Sequence, residues 1–566
     1  MRLLNPHTVD YKHLDEKSRN LMKQTIAFFE SKGKARIKED DHNTAWYADF
    51  LEFQAREKIF ATLMTPAGYG APDSEWNTAR ICDFNEILGF YGLAYWYTWQ
   101  VTMLGLGPIW MSSNEIIKKR TADLLRDGGI FAFGLSEKEH GADLIASDMK
   151  LVPDGDGRYL ARGRKYYIGN ANKAALVSTF GRMEGNNDYV FFAVASDHEK
   201  YECIQNVVHS QNYVAEYELH DYPITPDDML STGREAWDAS LSTVAICKYN
   251  LGWASIGICT HAFYESINHA ANRVLFRHAV TDFPHIRQFF VDAYARLMAM
   301  KMFASRAADY MRASSEEDKR YLLYNPLVKM KVTMQGEEVI NLLWDIIAAK
   351  GFEKNMYFEM AARDIRALPK LEGTAQVNMV LVIKFIDNFL FHPAEYPEVP
   401  RMTGKGNDEF LFKQGATSKG QNKIQFHDYK QAYSRFDLPN IRIFMEQVEV
   451  LKELLQTAGP DRAQQRDLDF MLILGELFTL VPYGQLILEI ARLEEMDADL
   501  IDQIFDFMVR DFTRYAVQLY SKTSSTPEQM QISRKMIRKP EVNQERYGRV
   551  WERHVFALKD VYNMKP

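Results

Sequence analysis

The stretch "ALPKLEGTAQV", Ala367 to Val377, carries one acid, Glu372, after a proline-led segment and directly before Gly373-Thr374 and an apolar run. Two chemistries suit a carboxylate in that setting. It can be an acid near a helix N-terminus, stabilised by the helix dipole. It can also be a general base held on a turn, with glycine supplying the backbone freedom that the turn needs. The four cysteines, Cys82, Cys203, Cys247 and Cys259, are scattered without a CxxC pair. That pattern argues against a disulfide framework and against a zinc site, so no metal is expected.

Which chemistry holds depends on what surrounds Glu372. The chain has 566 residues, of which 46% are hydrophobic, 25% charged and 13% aromatic, and this is a globular composition with room for more than one domain. The net charge of −8 lacks the basic excess of a nucleic-acid binder, so a small molecule or another protein is the expected partner. The first twenty residues hold no apolar signal core, and the last residues, "DVYNMKP", are no peroxisomal address. A cytoplasmic location is the expectation. The most apolar run, Met471 to Ile490, contains Glu476, Pro482, Gln485 and Glu489. Those groups are costly in hydrocarbon, so the run reads as a buried helix interrupted near Pro482, and no integral membrane segment is expected.

Helical periodicity marks residues 1–130. "SRNLMKQTIAFFESKG" has apolar residues three and four apart and stops on Gly33; "SSNEIIKKRTADLLRDGG" has capping residues before it and two glycines after it. Over 131–235 the pattern becomes short aromatic and β-branched runs, such as "DYVFFAVASD", separated by turns such as "PDGDG" and "EGNND". This is a compact β domain. Long apolar-striped helices return over 236–395 and carry Glu372. Residues 396–430 are polar and rich in Gly, Lys and Gln, as in a linker or long loop. Residues 431–566 are helical again, with acids and bases nearly balanced; the basic run "SRKMIRKPE" reads as a solvated helix end.

Six stretches, in order, resemble those of the acyl-CoA dehydrogenase superfamily. They are "PAGYG", "FAFGLSEKEHGADLIAS", "GRKYYIGNA", "ANRVLF", "WDIIAAKGF" and "RDIRALPKLEGTAQV". Each alone is a weak signal; together, over roughly residues 1–395, they are specific. The resemblance implies an α+β architecture: an N-terminal helical domain, a central β-barrel or sandwich domain, a C-terminal four-helix bundle, and here an extra helical C-terminal domain like that of the family's longer branch.

What the resemblance implies for chemistry is removal of a proton and a hydride from the α and β carbons of an acyl thioester, with FAD accepting the hydride at N5. Glu372 would be the base, and its backbone N–H one of two donors to the thioester oxygen. Some relatives place the glutamate earlier, at a position that falls on Cys247, which cannot serve; the neighbouring family arginine falls on Lys248, a substrate-orienting position together with Gly373. For the cofactor, Ser136 matches a flavin-contacting threonine and Ala142 stands where serine is common. Tyr167 replaces a tryptophan that packs on the flavin, and Gly169 replaces the threonine that contacts N5. Arg273 matches the arginine that reaches the pyrophosphate from the partner subunit. The glycine after "RVLF" is Arg277 here. Arg287 either adds a second basic group there or forms a surface salt bridge. Ala348-Ala349 replaces a Gly-Gly pair beside the ADP part, and Thr374 and Gln376 match adenosine-side contacts.

The leading functional expectation is an FAD-dependent acyl-CoA dehydrogenase of medium, long or bulky chains that passes electrons to electron-transferring flavoprotein and works as a homodimer. The alternatives are an oxidase that uses O₂ and a flavin- or lipid-binding member without turnover. The segment "GFYGLAYWYTWQVTMLGLGPIWM" lies where the family's acyl-pocket helices lie, although core packing explains most of its residues equally well.

Overall fold

The computed structural model describes residues 1–566. The chain forms two compact units. One comprises 10–250, 403–419 and 565–566, and the other 1–9, 251–402 and 420–564.

In the first unit, helices precede and flank a sheet. The helical stretch Glu16–His42 starts at Asp15, whose carboxylate accepts from the Ser18 amide at 3.0 Å, and it is broken at Gly33, where the periodicity placed the stop, before a second helical segment continues to His42. Gly33 makes a kink with φ +75°. A Cβ there would come within 2.7 Å of the Pro566 carbonyl oxygen, so only glycine fits both the angle and the space. The helix Leu93–Met111 is buried at every position from Leu93 to Trp110, which is why its sequence is apolar on all sides. Asn114 caps the helix Glu115–Arg126 through the amides of Ile116 and Ile117.

Eight strands follow: β1 (Phe131–Gly134), β2 (Lys150–Pro153), β3 (Tyr159–Gly169), β4 (Leu176–Met183), β5 (Tyr189–Val194), β6 (Tyr201–Asn206), β7 (Val214–Ile224) and β8 (Met229–Thr232). They form one sheet in the order β6-β7-β3-β2-β4-β5-β8, with β1 paired to β4. The β1–β4 and β2–β4 pairs are parallel and the other pairs antiparallel. Its core is made by alternating residues such as Leu151, Ala161, Val177, Phe192, Ala215 and Tyr217.

The second unit is helical. Pro284–Arg312 packs against Thr333–Ile347 and against Leu468–Leu493. Arg296 donates to both oxygens of Asp511, at 2.8 and 2.9 Å, and to Glu338 at 2.9 Å. This ties Pro284–Arg312 to the helix Ala498–Tyr520 by a buried, bidentate pair. Leu468–Leu493 is the one helix long and apolar enough to cross a membrane, and 78% of its apolar window is buried inside the protein. It runs unbroken through Pro482, contrary to the interruption read from the sequence. Beside the proline, the Tyr433 hydroxyl donates to the Val481 carbonyl at 2.7 Å. Helices, a central sheet, and helices continuing to the C-terminus together give the α+β class expected.

Candidate active site

The site residues inferred from the sequence fall into two groups, one in each unit.

In the helical unit, Glu372, Gly373 and Thr374 lie in the connection between the helices Tyr357–Asp364 and Ala375–Val382, and Gln376 is in the first turn of the latter. Thr374 is the helix cap; its hydroxyl accepts from the Val377 amide at 3.3 Å. Glu372 stands two residues outside that cap, so it is not a first-turn acid serving the helix dipole. Its φ is +54° and that of Gly373 is +82°. Glycine takes this conformation freely, whereas a glutamate is held in it only by its surroundings. One Glu372 carboxylate oxygen, Oε2, is shielded from solvent.

The holding groups are visible. The Lys329 ammonium, fully buried, donates to the Pro369 carbonyl at 2.7 Å and to the Gly373 carbonyl. Asn378 Nδ2 donates to Gly373 O at 3.1 Å and Thr374 O at 3.0 Å, and the Ala375 amide to Pro369 O at 3.0 Å. Lys329 lies in a π-helical turn, Val328–Val332, between two α-helical segments. Sequence reasoning missed it. The available signal was a lysine inside the apolar run "YLLYNPLVKMKVTM".

Ala348 ends the helix Thr333–Ile347 with φ +57° and ψ −139°, a conformation suited to glycine. Ala348 and Ala349 are both exposed, next to Phe352, which is 70% exposed. Arg273 is exposed at the base of a two-stranded hairpin, Val274–Leu275 with His278–Ala279. The hairpin turn is Phe276-Arg277, with φ of +51° and +71°. Both central residues are left-handed, as a type I′ turn requires, although neither is Asn or Gly. Arg287 donates to the Thr281 carbonyl at 2.8 Å, pairs with Asp282 at 3.5 Å, and lies over the Trp551 ring at 5.3 Å.

In the sheet unit, Ser136 follows β1. Its hydroxyl donates to the Tyr166 carbonyl at 2.8 Å, and the Tyr166 amide donates back to Ser136 O at 3.0 Å. The oxygen lone pairs of Ser136 remain as acceptors. A β-bulge between Lys165 and Ile168 turns the next residue outward, so Tyr167 is 46% exposed at φ +68°. Gly169 lies against Tyr97 and Val101. Ala142 is exposed on the loop between β1 and β2. Lys248 and Cys247 are buried at the C-terminal end of the helix Gly233–Cys247, where Gln100 Nε2 donates to the Cys247 carbonyl at 3.3 Å.

Two supports of this loop were also missed. Glu137 accepts from Lys165 Nζ at 2.7 Å, Ser147 Oγ at 2.7 Å, and the amides of Asp148 and Met149 at 2.7 and 3.1 Å. Burial alone would raise the Glu137 pKa; the Lys165 charge and these hydrogen bonds outweigh it and hold the carboxyl below its ordinary value. Complete burial pushes the Lys165 ammonium down to about 8, against the opposing pull of Glu137. Asn170, buried at φ +63°, donates to Thr98 O, Thr102 Oγ1 and Phe131 O at 3.0 to 3.1 Å and so pins the end of β3. "KYYIGN" carried both the lysine and the asparagine, but nothing in it showed their partners.

Residues 237–386 match the family model of the acyl-CoA dehydrogenase C-terminal domain. Among curated proteins, the chain is 22% identical over 353 residues to a 3-(aryl)acrylate reductase of Clostridium sporogenes, which spans 61% of this chain and 91% of that one. It is 23% identical to the caffeyl-CoA reductase–Etf complex subunit CarC of Acetobacterium woodii, over 59% of this chain and 88% of that one. Among solved structures, an acyl-CoA dehydrogenase from Bacillus anthracis complexed with FAD superposes with a TM-score of 0.70 at 15% identity, over 97% of this chain and 96% of that one. The helices beyond residue 430 therefore have counterparts in that fold.

Proposed function

We propose that the chain belongs to the acyl-CoA dehydrogenase superfamily and is an FAD-dependent oxidoreductase acting on the α,β carbon–carbon bond of an acyl-CoA thioester. The observation that carries this reading is the Glu372 turn. The helix cap is already supplied by Thr374, yet a strained, partly shielded carboxylate is retained beside it.

The residues present fit a flavin. Tyr167 offers an outward aromatic face on a bulge and Ser136 offers an acceptor, whereas Gly169 is buried against Tyr97 and Val101. In the helical unit, the exposed Ala348-Ala349 backbone, Thr374, Gln376 and Arg273 are the groups available to its ADP part. Bound FAD supplies the two-electron acceptor that no side chain provides.

The chain itself handles the proton. Glu372 removes the α-proton: the Cα–H bond breaks, a carboxyl O–H forms, and the electron pair moves toward the thioester oxygen. The backbone N–H of Glu372 donates to that oxygen as charge develops, which lowers the barrier where the change in charge is greatest. Gly373 lets the chain present the carboxylate and the N–H from one turn.

A second reading has its own support. Two relatives are reductases of arylacrylate and caffeyl-CoA type. By microscopic reversibility, Glu372 would then deliver the α-proton to an enoyl thioester. Electron-transferring flavoprotein is the proposed electron partner in either direction, consistent with the Etf-complex relative. A homodimer is proposed from the hairpin after Arg273, where Val274 is 67% and Phe276 86% exposed. Apolar side chains displayed in this way suit a protein interface.

An anaerobic panel tests the reading. Purified protein is mixed with saturated acyl-CoAs of graded length, or, after chemical reduction, with enoyl- and arylacryloyl-CoAs, while the flavin absorbance is followed. Bleaching by a saturated thioester supports the dehydrogenase, and recolouring by an unsaturated one alone supports the reductase. FAD-loaded protein inert to every thioester contradicts both.

A further inference from the structure

We propose that Lys329 is the positioning residue of the Glu372 turn: a buried cation that holds residues 369–373 in their strained form and biases the turn toward negative charge. This deepens the reading of Glu372 as the proton-transferring group and rests on it.

The geometry is specific. The Lys329 side chain is fully buried, and its ammonium bridges Pro369 O and Gly373 O, the carbonyls on either side of Glu372. A buried charge is expensive unless polar groups replace its water. Here the turn's own carbonyls do so, and the turn is thereby fixed to the cation. Both carbonyls take a second donor, from the Ala375 amide and from Asn378 Nδ2. The result is a closed clamp around two consecutive left-handed residues, Glu372 and Gly373. A neutral clamp would have served a purely structural purpose; a cation also stabilises nearby negative charge. The π-helical turn at Val328–Val332 departs from the regular helix at this lysine, and such turns alter the direction in which side chains leave a helix. Thr333 Oγ1 donates to the Lys329 and Met330 carbonyls inside that turn.

The test uses the full-length FAD-loaded protein and its Lys329→Met and Lys329→Gln variants. The probes are a 3-oxoacyl-CoA, an acidic thioester that can lose its α-proton to solvent and bind as the enolate, read by the pH dependence of binding, and the 2-enoyl-CoA of the same length, which has no such proton to lose. The proposal expects Lys329→Met to lose about tenfold in affinity for the 3-oxoacyl-CoA, with less than about twofold change for the enoyl-CoA. Lys329→Gln, which keeps a donor without the charge, falls between them and carries the test should the methionine variant not fold. Equal losses for both ligands, or no loss, overturn the positioning role. Wild-type protein that shows no preference for the enolate ligand overturns the reading of Glu372 and this inference with it. A wild type with the preference and variants that keep it overturn this inference alone.

Discussion

The Tyr97 ring fills the space that a side chain on Gly169 would need: a Cβ built on Gly169 falls 2.7 Å from Tyr97 Cε1, 2.9 Å from its Oη and 2.9 Å from Val101 Cγ1. The glycine at the end of β3 is therefore required by packing. Gly169→Thr is expected to destabilise the protein by about 1–3 kcal/mol, the usual range for overpacking a dense core. Tyr97→Ala on the same chain should recover part of that loss. Urea unfolding of the single and double variants checks it; a stable Gly169→Thr protein would show that the ring moves aside without penalty.

Ala348 and Arg277 occupy glycine-like backbone conformations. Ala348→Gly and Arg277→Gly should each stabilise the folded state by roughly 1 kcal/mol, because the left-handed penalty of an L side chain exceeds the entropy that glycine adds to the unfolded chain. An increase in the urea midpoint at unchanged slope is the expected outcome. A decrease in either variant would mean that the side chain makes a contact worth more than the strain.

The Lys165–Glu137 pair gives a pH signature. The folded Lys165 pKa of about 8 lies below its ordinary value of 10.5. Between those two values the unfolded chain binds the proton more tightly, so this group's contribution to stability rises with pH across that window, by at most about 1.4 kcal/mol per pH unit. Lys165→Met removes the titration and leaves Glu137 buried without its cation, at a cost of about 3–5 kcal/mol. Stability measured at pH 8 and pH 10 should shift in favour of wild type relative to the variant. A constant difference would place the Lys165 pKa outside the window.

Assembly is tested at the hairpin. Phe276→Glu puts a charge on the most exposed apolar side chain of the chain's hairpin turn. Sedimentation should show the wild type as a dimer and the variant shifted toward monomer, with FAD lost in parallel if Arg273 reaches the cofactor of a second copy. A variant with unchanged mass would exclude this face as the interface.

The sequence was legible where a single element announces itself. The alternating runs of 131–235 are the strands, and the capping residue read before "EIIKKRTADLLR" is Asn114. Gly33 does interrupt its helix, as local rules require, whereas Pro482 misled: its helix runs through the proline because the surrounding helices bury it on every side. At the site, Glu372 stood out because six stretches in order resemble the superfamily; its neighbours alone left a helix-terminal acid and a base both open. Lys329 did not stand out, since a buried lysine and a solvated one have the same letter until residues 40 positions away supply its carbonyls. Ala348 and Arg277 read as losses of glycine, yet the backbone keeps the glycine conformation and the strain is absorbed in place.

The most direct measurement is the rate of flavin bleaching in anaerobic stopped flow, with the thioester that reduces wild type best, beside Glu372→Gln. The variant keeps the backbone N–H and the size of the side chain but cannot accept the α-proton. With Glu372 as the base, substrate still binds and the bleaching rate falls by about 10²–10⁴-fold, the range typical for loss of a general base. A variant that bleaches within a few-fold of wild type would contradict the central claim and return Glu372 to a structural turn residue.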